Sequence, residues 1–163
     1  MDQRVEDKPA TANPEPPPLE PAREQALRAL FEQAIPFHQH LGLRCGRIRA
    51  GAVSVELPPR AEHVGDPWRP ALHGGVVATL IDVAGGLAVF SQVGREDRVS
   101  TVDLRVDYLL PAETGRPLFA DARLLRAGGR SCMAEVNVHH GDPNKPVARG
   151  AAVFNVLRRS EPA

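Results

Sequence analysis

The sequence lacks most of what would mark a secreted, nucleic-acid-binding or metal-dependent protein. Its two cysteines, Cys45 and Cys132, stand in no CxxC or other close-spaced motif. They cannot build a disulfide framework and read as small buried hydrophobes in a reducing compartment. Lys and Arg number 20 and Asp and Glu 20, a formal net charge of zero. With no cationic surplus to neutralise phosphates, nucleic acid is not an expected partner. The N-terminal stretch MDQRVEDKPATANPEPPPLEPA is charged and proline-rich where a secretory signal needs an apolar run, so a cytoplasmic location is expected. The longest nearly uncharged stretch, Pro70 to Gly94, holds His73, Asp82, Ser91, Gln92 and two Gly-Gly pairs. It reads as a buried helix with its approach loop rather than a membrane span, and no membrane partner is expected. Of the histidines, His38 and His40 lie two apart and His139 and His140 are adjacent, with no third ligand at a metal-site spacing, so no metal is expected. There is no GxSxG elbow and hence no sign of a serine nucleophile. There is no Gly-rich phosphate loop either, since Gly85-Gly86 falls inside a helix, and no cofactor is expected.

What is present is one domain's worth of apolar residues behind a proline-rich tail. Pro9, Pro14, Pro16, Pro17, Pro18 and Pro21 forbid helix and pair poorly in sheets, so residues 1–21 are expected to be disordered and residues 22–158 to form the domain. Leu27, Leu30, Phe31 and Ala34 recur at helical spacing, predicting a short amphipathic helix that ends before Pro36. Leu43–Ile48 and Ala52–Leu57 read as two strands around Ala50-Gly51, followed by an irregular segment from Ala61 to Pro70. Gly75 to Val93 is the long helix, with Val77, Leu80, Ile81, Ala84 and Ala88 on one apolar face. Val99–Leu110 alternates through Val102, Leu104, Val106 and Tyr108 as a half-buried strand. Leu118–Arg126, Ser131–His140 and Val147–Leu157 complete a meander. The fold class is α+β: one antiparallel sheet with a single long helix packed on it. Association with a second subunit would cover the remaining edges and faces.

Between Pro70 and Gly94 the only formal charge is Asp82. A carboxylate in such surroundings has to be satisfied by donors, kept neutral or exposed in a cleft. It sits in a stripe of small residues (Gly75, Ala78, Thr79 and Gly86) that lets a backbone or a ligand come close. Taken alone, an acid on an apolar helix is more often structural than catalytic. Upstream, Leu72-His73-Gly74-Gly75 opens the helix, where the first amides have no internal partners and carry the positive end of the dipole. Uncovered by side chains, they suit an oxygen that gains negative charge. Amides that polarise a carbonyl, with an acid that attacks it or activates a water, are the parts of an acyl transfer site.

The pattern Leu72-His73-Gly74-Gly75, six residues, Asp82 resembles the signature of hot-dog-fold thioesterases of the phenylacetic-acid-pathway (PaaI-like) type. The likeness extends over about Ala22 to Leu157 and includes Ser100-Thr101-Val102-Asp103 and Tyr108-Leu109-Leu110-Pro111-Ala112. It implies an antiparallel sheet wrapped around one central helix, and a homodimer or dimer of dimers (a homotetramer) with active sites at the subunit interface. The activity it implies is hydrolysis of acyl-CoA substrates to free acid and CoA. Gly74 would supply the polarising amide and Gly75 a further contact to substrate. Asp82 would be nucleophile or general base, Thr101 from the partner subunit would position the water or the acid, and His73 would shape the turn. Arg126 and Arg130, flanking Ala127-Gly128-Gly129, match the place where relatives carry basic residues near the CoA phosphates, and guanidinium suits that geometry. Arg69 is a weaker candidate of the same kind. Two positions depart from the pattern: Pro67 stands where many relatives have Asn or Gln, and Gly86 where one branch has Thr. Trp68 and Phe37 flank the presumed pocket, with core or interface roles expected of both. The competing readings are a non-catalytic acyl-CoA-binding or regulatory protein of the same fold and, less favoured, a hydratase, which would need a different Asp/His motif.

Overall fold

Seventeen residues from Gly74 to Phe90 form α3, and Asp82 is the one charge among them. A helix apolar on nearly every side has to be covered. The cover is a six-stranded antiparallel sheet in the order β1 (Arg44–Arg49), β2 (Ala52–Leu57), β6 (Leu118–Ala127), β7 (Ser131–His139), β8 (Pro146–Leu157) and β5 (Arg98–Tyr108). A two-stranded ribbon, β3 (Val64–Asp66) with β4 (Ala71–Leu72), leads into the helix. The structure is a computed structural model and describes residues 15–66 and 68–158. Among them, no helix is long and apolar enough to cross a membrane.

Strand periodicity decides which side chains meet α3. Val55 and Leu57 on β2, Leu118, Ala120 and Ala122 on β6, and Val136 and Val138 on β7 are buried. Alternate residues such as Asp121, Arg123 and Glu135 point to the other face, where Arg123 and Glu135 pair. The alanines let the helix come close. Closest is Gly150 on β8, where an added Cβ would run into Ile81 Cγ2 of α3. Val77, Leu80, Ile81, Ala84 and Ala88, the predicted apolar face, are all buried.

The order of elements agrees with the sequence reading apart from β3, which falls in the segment expected to be irregular, and four further differences. β5 does not begin a meander: it pairs with β8 alone, and β6 pairs with β2 and β7. The β5–β6 connection, residues 109–117, is too long for a tight hairpin and lets the chain cross the sheet. The expected alternation in β5 is also broken. A bulge at Val102, between Thr101 and Asp103, leaves Val102 67% exposed, while Leu104 and Val106 are half-buried and Tyr108, at the end of the strand, is 56% exposed. The first helix, α1 (Pro21–Ala29), ends in a π turn (Leu30–Ala34), and a second helix not anticipated, α2 (Pro36–Leu41), starts at the proline expected to stop helix. Pro36 is the first helical residue, where its missing N–H breaks no bond.

The last difference concerns the tail. Residues 1–14 lie outside the described residues, but 15–20 are packed on β1: Ala50 N–H donates to Pro17 O (3.1 Å), and Glu15 pairs with Arg47 and Arg49. Cys45 and Cys132 are free and buried, as expected. Phe37 and Trp68 are 54% and 90% exposed, so neither is a core residue.

Candidate active site

The turn into α3 is held from both sides. His73 N–H donates to His63 O (2.8 Å), and His63 is itself buried, its imidazole pushed below the usual range by that burial. His73 is the N-cap of α3, and its Nδ1 accepts the Gly75 N–H at 2.9 Å. The bond places the His73 proton on Nε2 and engages the Gly75 amide within the chain, so Gly75 is not a free donor to substrate. A Cβ on Gly75 would press on the His73 ring. On the other side, Tyr108 Oη donates to Gly74 O at 2.8 Å. What remains is the Gly74 N–H, which has no acceptor among the described residues, at the exposed N-terminus of the helix.

Asp82 is half-buried on α3, and its Oδ1 accepts the Thr101 hydroxyl at 2.7 Å. Both residues belong to one chain, which corrects the expectation that Thr101 arrives from a partner subunit. The cause is the topology, which brings β5 to the sheet edge next to α3. Asp82 and Thr101 open onto a cavity of about 230 Å³. Its walls come from α1 and the π turn (Leu27, Leu30, Phe31), from α3 (Val83, Leu87, Phe90) and from Val99 and Phe154. Gly86 lines it too, and a Cβ there would meet the Phe154 ring at 3.6 Å, an ordinary contact.

The sequence reading placed the amide and the acid in one site because they share a helix. Eight residues separate Gly74 from Asp82, which at 1.5 Å per residue is about 12 Å along the axis. One thioester cannot touch both in the same chain. Arg126 and Arg130 are exposed at the β6–β7 hairpin and do not line the cavity. The sheet register nevertheless aligns Thr101 with Phe154, Phe154 with Cys132 and Cys132 with Ala127. The hairpin therefore lies at the Thr101 end of the sheet, three strands away, or about 14 Å. Pro67 lies outside the described residues. Arg69 is exposed and paired with Asp66.

Two residues near the site had no role in the sequence reading. Tyr108 was read as a strand residue and as part of the family likeness, without a role in the site, although it ties β5 to the glycine turn. His38 was set aside with the scattered histidines, yet it lines the Asp82 cavity. No spacing rule could have found it, because α2 was not expected. Among the described residues, no cluster of His, Cys, Asp or Glu could hold a metal ion.

A central apolar helix wrapped by an antiparallel sheet, with a glycine turn at its start and a paired acid midway, defines a hot-dog-fold hydrolase. Comparison with known proteins agrees: the thioesterase superfamily profile matches residues 70–147. The medium/long-chain acyl-CoA thioesterase YigI of Salmonella typhimurium is 36% identical over 135 residues, covering 73% of this chain and 86% of YigI. Its Escherichia coli K12 counterpart is 35% identical over 133 residues, covering 72% of this chain and 85% of the relative. A thioesterase family protein from Silicibacter pomeroyi superposes with a TM-score of 0.75 at 27% identity, over 83% of this chain and 98% of that one. The chain belongs to the thioesterase superfamily.

Proposed function

We propose that the protein hydrolyses acyl-CoA thioesters at sites shared between two subunits. Each site pairs Asp82 and Thr101 of one chain with the partner subunit's Gly74. The observation that carries this reading is the Thr101–Asp82 pair opening onto an apolar cavity. An acid held by a hydroxyl at the mouth of an apolar pocket suits an acyl chain whose carbonyl stops at the acid. The name of the YigI relatives supports CoA as the carrier and a medium or long acyl chain as the group removed.

The need for a second subunit follows from the distance of about 12 Å between amide and acid within one helix. β5 offers a way to meet it. It has one neighbour in the sheet and carries exposed Val102, Tyr108, Leu109 and Leu110 along or beside its free edge. Pairing that edge antiparallel with a second copy sets the Thr101 end of one strand toward the Tyr108 end of the other, bringing the partner's Gly74 turn toward Asp82.

In the reaction, Asp82 takes a proton from water as the water oxygen bonds to the thioester carbon. The carbonyl electron pair moves onto oxygen, where the partner subunit's Gly74 N–H receives it. As the pair returns, the C–S bond breaks, and the thiolate of CoA leaves with the proton from Asp82. His73 orients the turn through Gly75 and moves no proton. Arg126 and Arg130 lie within reach of the CoA phosphates from the same end of the sheet. The deciding experiment is thiol release from a panel of acyl-CoAs by wild type and Asp82→Asn. Turnover that falls by orders of magnitude in the folded variant supports the reading. Saturable binding without turnover of any panel member would replace it with a carrier or sensor of acyl-CoA.

A further inference from the structure

The cavity beside Asp82 has three polar side chains in an otherwise apolar wall: Asp82, Thr101 and His38. The Thr101 hydroxyl is committed to Asp82 Oδ1 (2.7 Å), which leaves Oδ2 open. His38 is 8% exposed, and its Nδ1 lies 3.0 Å from the carbonyl oxygen of Phe31 in the π turn. A carbonyl only accepts, so Nδ1 carries the proton and Nε2 of the neutral ring keeps its lone pair. Its ring also rests against that of Phe31, with centroids 4.3 Å apart. Position and tautomer are thus both fixed, and Nε2 has no partner among the described residues. An acceptor left without a donor in an apolar cavity is unfavourable unless water or substrate supplies one.

We propose that His38 Nε2 and Asp82 Oδ2 hold the attacking water between them, each accepting one of its hydrogens. A water held by one acceptor still rotates about that bond. Held by two, its remaining lone pair points in one direction, toward the carbonyl carbon of a thioester whose acyl chain fills the cavity. Asp82 removes the hydrogen it accepts, and His38 keeps the other in place and takes no proton. His38 is therefore a positioning residue for the nucleophile. Its environment suits that task. Burial lowers its basicity more than the Phe31 carbonyl and the Asp82 charge raise it, so the ring stays neutral and keeps an acceptor at neutral pH. The inference rests on the thioesterase reading with Asp82 as base.

Three substitutions separate the ring's duties. His38→Asn keeps a donor where Nδ1 stands and removes the acceptor at Nε2. His38→Gln returns an acceptor near Nε2. His38→Phe keeps the ring against Phe31 and removes both polar atoms. For His38→Asn and His38→Phe, kcat is expected to fall roughly 100-fold with KM within about twofold, the effect of a mispositioned reactant. His38→Gln is expected to recover at least about tenfold of that loss. His38→Asn keeps the bond to Phe31 O and His38→Phe keeps the ring contact, so either of these two that melts like wild type decides the matter. A folded His38→Asn or His38→Phe with kcat within about threefold of wild type overturns the proposal. Asp82→Asn, assayed alongside, keeps the two readings apart. If it is inactive while the His38 variants are not, only the role of His38 falls. If it too is active, the base assignment falls with it.

Discussion

Gly74→Pro would remove one hydrogen-bond donor and almost nothing else. Gly74 is the first residue of α3, a position where proline interrupts no helical bond. His73 before it has φ −63° and ψ 130°, the extended conformation that proline requires of its predecessor. A Cβ at position 74 would lie 3.4–3.5 Å from Tyr108, an ordinary contact. Stability is therefore expected to hold or to rise by about 0.4–1 kcal/mol, because proline restricts the unfolded chain. Loss of one oxyanion donor lowers kcat by about 10²–10³, or roughly 2.7–4 kcal/mol of barrier. The assay is thiol release at saturating acyl-CoA, with a thermal melt run on the same preparation. Co-expressing Gly74→Pro with Asp82→Asn from differently tagged genes extends the test. Random pairing makes half of the dimers mixed. Each mixed dimer has one site with both wild-type groups, so about a quarter of wild-type activity returns from two inactive parents. A well-folded Gly74→Pro within about threefold of wild type would refute the amide's role, and a mixture that recovers nothing would refute the shared site.

Thr101→Val, nearly isosteric, is expected to lower kcat/KM about tenfold, the worth of one charge-assisted bond at a partly exposed site, while Thr101→Ser stays within about threefold. Equal rates for the valine variant and wild type would make the 2.7 Å contact incidental. Gly150→Ala forces a methyl against Ile81 where α3 meets β8 and should destabilise by about 1–3 kcal/mol, visible as a lower melting temperature with unchanged chemistry at 25 °C. An unshifted melt would mean that α3 is free to move away from the sheet. Cys45 is predicted to resist thiol reagents at pH 8 in the native protein and to react once denatured, because burial pushes its pKa from 9.0 up to about 12. The stability tied to that shift is present below pH 9, where folded and unfolded thiols are both protonated. It is lost as pH rises from 9 toward 12 and only the unfolded chain ionises. Rapid native labelling of Cys45 would contradict this account.

The parts of the fold legible in the sequence are those written in local periodicity. The 3.6-residue repeat of Val77, Leu80, Ile81, Ala84 and Ala88 located α3, period-two alternation located β5, and runs bounded by turn residues located β1, β2, β6, β7 and β8. Strand order is another matter. That β5 lies beside β8 depends on where a nine-residue connection crosses the sheet, and no residue of residues 109–117 encodes that by itself. The site was legible as a set of residues but not as a geometry. Gly74 and Asp82 are close in sequence and on one helix, which suggested convergence, whereas the rise of the helix holds them apart. Thr101 was assigned to the wrong chain because contact across a bulged edge strand leaves no mark in composition. His38 escaped because its meaning depends on a π turn that frees the Phe31 carbonyl, a backbone irregularity for which the sequence has no repeat.

The roof of the cavity has a bearing on how such a protein can evolve. Leu27 and Phe31 line the acyl pocket and also belong to the main hydrophobic core. The helix that carries Leu27 is fastened at both ends: Arg23 donates to the carbonyls of Phe90, the last residue of α3, and of Val93 beyond it, and Arg28 to those of Cys45 and Gly46 on β1. Trimming a buried leucine to alanine to admit a bulkier substrate would remove about 2–5 kcal/mol from a total stability of order 5–15. Changes in substrate range are therefore expected to arise at Gly86, Val83 and Leu30, where the wall is only partly buried. Lineages that do alter Leu27 or Phe31 should carry compensating substitutions in the sheet beneath.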